Sequence, residues 1–275
     1  MSGVASQVSG AADVAANSRP MGWLARLGLT ARGLVYLVMG WLAVLLATGT
    51  TQHVDQRGVL TELIAAPFGT LLVLLLAVGF AAYAVWRLME AATGPTGEPD
   101  GAGVRLKCAA RGIAYLVLAG TALSVLSGAR QSQAGQQKGI AADVMSHAGG
   151  RWLVGIVGLA VVAVGVSMVL EGWSTKFMRY FGYLPARSRR WIVRLGRVGT
   201  IARGLVFAIT GFLVVQAAVA ADPAKAGGID TSLRTLLDKP YGPALVGALG
   251  LGLILFGVYA LAEARWRRVT EGETR

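Results

Sequence analysis

Cysteine and histidine are nearly missing from this chain of 275 residues, which has one of the former, Cys108, and two of the latter, His53 and His147. A single thiol excludes an internal disulfide framework and any thiolate-cluster metal site. Two imidazoles, both outside the apolar runs, exclude haem held between facing helices. Charge is scarce as well: 15% of residues are charged, against roughly 25% in a soluble domain. Mean hydropathy is +0.58 and 55% of residues are hydrophobic, so a water-soluble globular protein is excluded. The sequence also lacks a metalloprotease HExxH, a phosphate-binding GK[ST], a Gly-x-Ser-x-Gly element and paired aspartates within an apolar run. No catalytic, cofactor-binding or metal-binding residue is therefore assigned, and the chain is read as a non-enzyme.

Long apolar runs take the place of those features. They cover Gly33–Gly49, Phe68–Trp86, Gly112–Gly128, Trp152–Leu170, Gly204–Ala221 and Gly242–Ala262, each of 17 to 21 residues. A helix rises about 1.5 Å per residue, so such lengths cross a hydrocarbon layer of about 30 Å. Strands are excluded because the runs do not alternate with a period of two and are too long. The expectation is an all-α membrane protein with six transmembrane helices.

The net charge of +12 is distributed unevenly along the connections. Of the Lys and Arg residues, 19 fall on one side of the expected membrane and 7 on the other, while acidic residues divide 8 to 6. The positive-inside tendency then puts both termini in the cytoplasm of a multi-pass protein of the bacterial inner membrane. Residues 1–20 are small and polar, without an apolar signal core, and read as a disordered cytoplasmic tail.

An internal repeat organises the rest. Ala31-Arg32-Gly33-Leu34-Val35-Tyr36 recurs as Ala110-Arg111-Gly112-Ile113-Ala114-Tyr115 and as Ala202-Arg203-Gly204-Leu205-Val206-Phe207, at spacings of 79 and 92. Six residues before each of these arginines stands another: Arg26, Arg105 and Arg197. Pro67-Phe68-Gly69 and Pro240-Tyr241-Gly242 open two of the second helices, the middle copy has Gly149-Gly150-Arg151 instead, and all three close on a glutamate, Glu90, Glu171 or Glu263. Leu60, Leu63 and Ile64, and again Leu233, Leu236 and Leu237, predict short amphipathic helices on the outer leaflet.

Each copy holds two spans, so the copies are parallel helical-hairpin repeats, for which a pseudo-threefold arrangement is expected. The units are residues 21–94, 101–174 and 192–268, with a basic-aromatic cytoplasmic interfacial segment at 175–191. The thrice-repeated Arg-Gly hairpin resembles bacterial integral membrane proteins built from three tandem copies of a two-helix domain of unknown function. The resemblance covers residues 21–268 and implies location and topology, not an activity.

Arg32, Arg111 and Arg203 are read as lying in the first turns of their helices, and Glu90, Glu171 and Glu263 in the last turns of theirs. Each choice opposes the helix dipole. Because both ends lie on one membrane face, these six residues are expected to form structural ion pairs at the cytoplasmic rim. Gly33, Gly40, Gly112, Gly120, Gly204, Gly211, Gly247, Gly250 and Gly257 are read as close-packing positions. Trp23, Trp86, Trp173, Trp191 and Trp266 are read as anchors at the inner interface and Trp152 at the outer one.

Between Lys176 and Arg203 cations alternate with aromatics. Beside two spans this pattern points to contact with anionic lipid rather than nucleic acid, through Lys176, Arg179, Arg187, Arg189, Arg190 and Arg194. The resulting expectation is a non-enzymatic membrane module with a basic cytoplasmic face that engages anionic lipid or a protein partner of unknown identity. The alternative is a passive channel or facilitator through the centre of the three repeats.

Overall fold

Apolar runs of this length bury their backbone polar groups best as helices, and in a computed structural model of the protein nearly every described residue is helical. The structure describes residues 19–49, 54–65, 68–94, 101–128, 133–182 and 184–267. Six long helices carry the spans: α1 (Arg19–Ala47), α3 (Gly69–Thr93), α4 (Ala102–Leu126), α6 (Gly150–Ser174), α7 (Ala186–Ala220) and α9 (Gly242–Trp266). All six are long and apolar enough to cross a membrane. Three shorter helices, α2 (Gln56–Ala65), α5 (Gln133–Ser146) and α8 (Gly228–Leu237), join the two spans of each repeat. Among the described residues no strand forms, only an isolated antiparallel bridge between Phe181 and Arg267.

The second helix of each repeat packs on the first helix of the next, α3 on α4 and α6 on α7, and α9 returns to pack on α1. Within hairpins, α1 meets α3 and α7 meets α9, while α4 and α6 make at most marginal contact. The cyclic order therefore does not amount to threefold equivalence. The common core is built by α1, α3, α4, α7 and α9, with Met39, Phe80, Ala122, Val206 and Leu253 all buried. α6 adds no buried residue to that core and presents Leu153, Ile156, Leu159 and Leu170 outward.

Glycine explains the tightest seams. A Cβ on Gly40 would stand 2.6 Å from the Gly250 carbonyl oxygen, and one on Gly250 2.9 Å from that of Gly40. Gly165 and Gly204 face each other in the same way at 2.7 Å each. Backbones approach this closely only without side chains, and lipid supplies no hydrophobic drive to replace that packing. Gly120 differs: nothing lies within 4 Å of its Cβ position, so its expected packing role is corrected. It follows Gly112 by eight residues, whereas Gly40 and Gly211 follow their partners by seven, so it turns away from the seam. Ala119, one residue earlier, is the buried one.

The entry to each second helix is one turn used three times. Phe68, Gly149 and Tyr241 have φ of 60°, 79° and 61°, and each precedes a glycine. A Cβ on Gly69, Gly150 or Gly242 would fall 2.1, 1.7 or 2.2 Å from a carbonyl of the preceding short helix. The middle copy's Gly-Gly thus forms the same corner as the aromatic-Gly of its neighbours.

The apolar faces of α2 and α8 pack into the bundle. Val59, Leu60 and Leu233 are fully buried in the bundle. Asp230 Oδ1 accepts from the Val54 amide at 2.9 Å, and its Oδ2 accepts from Arg234 at 3.0 Å, linking the first repeat to the third.

Candidate functional site

The helices of the repeat motif begin well before their Arg-Gly pairs. α1 starts at Arg19, α4 at Ala102 and α7 at Ala186, so Arg32, Arg111 and Arg203 lie several turns inside rather than in first turns. The dipole argument expected for them does not apply, because that effect fades within one turn. Charged and polar residues before each apolar run hid these extensions from a hydropathy reading. The glutamates do stand in last turns, each three residues from the end of its helix.

Several turns of helix carry the three arginines inward to one cavity of about 80 Å³, where Arg267 joins them. Glu263 and Glu171 supply its carboxylates, and Tyr83, Tyr115, Tyr180 and Tyr259 its phenols. Glu263 is buried and accepts through Oε2 from Arg32 Nη2 and through Oε1 from Arg267 Nη1. The Arg32–Glu263 pair joins α1 to α9, the first repeat to the last.

The other two glutamates differ from Glu263 and from each other. Glu90 is held by Arg87 of its own helix at 2.5 Å, not by a repeat arginine. Arg87 Nε also donates to the Tyr83 hydroxyl at 3.0 Å, and the buried Cys108 sulfur lies 4.0 Å from both Arg87 and Glu90. Among the described residues Glu171 has no ion pair and is half-buried. Arg111 is exposed and likewise has none. Arg203 is enclosed by rings instead, its guanidinium carbon 4.9 Å from the Phe256 centroid, 5.1 Å from Tyr36 and 5.3 Å from Phe207. Of the six residues expected to pair, the structure joins only Arg32 and Glu263.

Two further arginines of the repeat do work the sequence did not reveal. Arg26 Nη1 donates to the carbonyls of Ala264 at 3.1 Å and Arg265 at 2.8 Å, and Arg105 Nη1 donates to Ala92 at 3.0 Å. Each caps the C-terminal carbonyls of the helix packed beside it, where a cation suits the dipole. At the opposite end Arg151 does the same for α7, donating to Ala218 at 3.0 Å and Val219 at 2.8 Å. Recurrence six residues before each Arg-Gly was the available signal, but which carbonyls they meet depends on the neighbouring repeat.

The basic-aromatic segment also reads differently once folded. It forms a 3-10 turn (Lys176–Tyr180) followed by the start of α7 at Ala186, so its expected end at residue 191 falls inside a helix. Phe177 and Phe181 are buried against Tyr259, with centroids at 5.2 and 5.9 Å, and anchor the turn to α9 rather than to lipid. Lys176, Arg179, Arg189, Arg190 and Arg194 are exposed, and the Arg187 side chain lies outside the described residues. Trp23, Trp152, Trp173 and Trp191 are exposed, whereas Trp266 is half-buried against the core. Trp86 is not an interface anchor: it is buried, with Arg87 at 4.4 Å and Arg267 at 5.3 Å from its ring centroid.

His53 lies outside the described residues. His147 is exposed, with Nδ1 2.8 Å from the Asp143 backbone carbonyl. Among the described residues no group of His, Cys, Asp and Glu could hold a metal ion.

Three stretches of the chain, residues 27–94, 106–175 and 198–267, match the family described as Domain of Unknown Function (DUF1206). A curated relative is "Uncharacterized protein YxxB" of Bacillus subtilis (strain 168), 28% identical over 250 residues that make up 89% of this chain and 90% of that protein. No solved structure matches the chain.

Proposed function

The chain belongs to the DUF1206 family, three copies in tandem, and from that premise we propose a non-enzymatic, multi-pass module of the bacterial inner membrane with both termini in the cytoplasm. Its basic end engages anionic lipid headgroups. The observation that carries this reading is the exposed set Lys176, Arg179, Arg189, Arg190 and Arg194, flanked by exposed Trp173 and Trp191. Indole rings favour the headgroup level, and cations beside them meet an anionic surface at about 1 kcal/mol each.

Quenching by brominated lipids tests it. In vesicles of mixed composition, brominated phosphatidylglycerol should quench the interfacial tryptophans more than brominated phosphatidylcholine at equal mole fraction. Replacing Arg189, Arg190 and Arg194 with Ser should remove the preference. Equal quenching by both lipids in the unaltered protein would end the proposal.

A further inference from the structure

The exposed cations above leave the inner cavity unexplained. Four guanidiniums and two carboxylates line it, an excess of two positive charges. Glu263 is fully engaged, one oxygen to Arg32 and the other to Arg267. That leaves Arg111 and Arg203 with only Glu171 between them, and neither is paired with it. Arg203 Nε is buried without a hydrogen-bond partner, and so is Nε of Arg32, itself only 9% exposed. Arg203, half-buried among three rings, thus has no carboxylate of its own, and charges inside spanning helices mark ligand sites more often than scaffolding.

The uncharged lining combines the hydroxyls of four tyrosines and Thr200 with the apolar Met168, Phe177 and Phe256. Among the described residues, Tyr115 and Tyr259 make no side-chain hydrogen bond, nor does the hydroxyl of Thr200, a buried residue one turn before Arg203. The access route follows from exposure. The α1, α3 and α9 walls are buried, whereas Arg111 and Tyr115 of α4 and Met168 and Glu171 of α6 are exposed or half-exposed. The cavity therefore opens between the two helices of the middle repeat, which do not pack closely on each other.

We propose that this cavity binds a phosphate-class oxyanion, held by Arg111 and Arg203 with tyrosine and threonine hydroxyls completing its shell. Guanidinium forks match phosphate oxygens two at a time. The charge excess suits a dianion such as inorganic phosphate or a phosphomonoester. A volume of about 80 Å³ holds about half a dozen water positions, room for one tetrahedral anion. The site uses none of the exposed cations at the start of α7, so it stands whether or not the surface reading does.

The test is titration of the full-length protein in neutral detergent with inorganic phosphate, at constant ionic strength in chloride, followed by calorimetry and thermal unfolding. Saturable binding with a raised unfolding temperature is expected. Arg111→Gln and Arg203→Gln should each weaken it about tenfold or more, the value of one charge-assisted hydrogen bond. Glu171→Gln, which removes the competing carboxylate, should strengthen it. Should Arg203→Gln fail to fold, Arg111→Gln at its exposed position still carries the comparison.

Phosphatidic acid in the micelles distinguishes the source. Competition with phosphate, absent with phosphatidylcholine, identifies a lipid headgroup; phosphate binding without that competition identifies a soluble anion. No saturable binding of either, equal stabilisation by chloride, or unchanged affinity in both arginine variants would overturn the proposal.

Discussion

The outer repeats and the middle one carry the same motif and fold it to different ends. Where α9 meets α1, reciprocal glycines close the seam, Arg26 caps α9, and Glu263 joins Arg32 in a buried pair. In the middle repeat Glu171 stands at the same distance from its helix end as Glu263 does, yet has no cation, and Arg111 stands exposed. Duplication copied the residues, but burial was not copied with them. Helix packing alone does not decide it, because α6 packs on α7 as α9 packs on α1; Arg203 lies instead among the rings of Tyr36, Phe207 and Phe256, and Glu171 stays half-buried without it. The middle hairpin is thus the side of the molecule left open at the charged end.

Removing the buried carboxylate should break that contrast most severely. Glu263→Ala leaves Arg32 and Arg267 without a counter-charge and should cost about 3–5 kcal/mol, read as a large fall in unfolding midpoint in detergent. Next come the seams. Gly40→Ala and Gly165→Ala would put a Cβ within 2.6 and 2.5 Å of opposing backbone atoms and should each cost about 1–3 kcal/mol. Gly120→Ala, facing open space, should be neutral or stabilising by up to about 1 kcal/mol from helix propensity. If all three glycine variants melt alike, backbone approach is not what holds the seams.

Loss of a cap should be milder. Arg26→Ala should cost about 0.5–1 kcal/mol and speed amide exchange in the last turn of α9, while that of α3, capped by Arg105, stays as it was. Smallest of all, Glu171→Ala should stay within about 0.5 kcal/mol of the parent, as a residue outside any buried network does. A loss matching that of Glu263→Ala would mean that the two repeats are equivalent after all.

Much of the architecture was legible because the bilayer constrains it so strongly. Long apolar runs have one good conformation in lipid, and the thrice-written Arg-Gly and terminal glutamate marked equivalent points on successive hairpins. Gly69, Gly150 and Gly242 could be aligned by eye, and the structure shows why each must be glycine. The partners were not legible. Glu90 turned to Arg87, a residue outside the repeated motif, and Trp86 and Phe177 went inside although their types suit an interface. Interfacial aromatics and core aromatics have the same composition and differ only in what is packed beside them.

Sequence alone determined the number of spans, the repeat unit and the concentration of cations at one end, because these depend on length, hydropathy and charge summed along the chain. Tertiary structure decided which arginine neutralises which glutamate, which seam closes on glycine, and that three arginines from three repeats converge on one cavity. Those outcomes turn on distances of a few ångströms between segments as far apart as residues 32 and 263. Electrostatics and close packing change steeply over such distances, while a one-dimensional pattern records only spacing along a single helix.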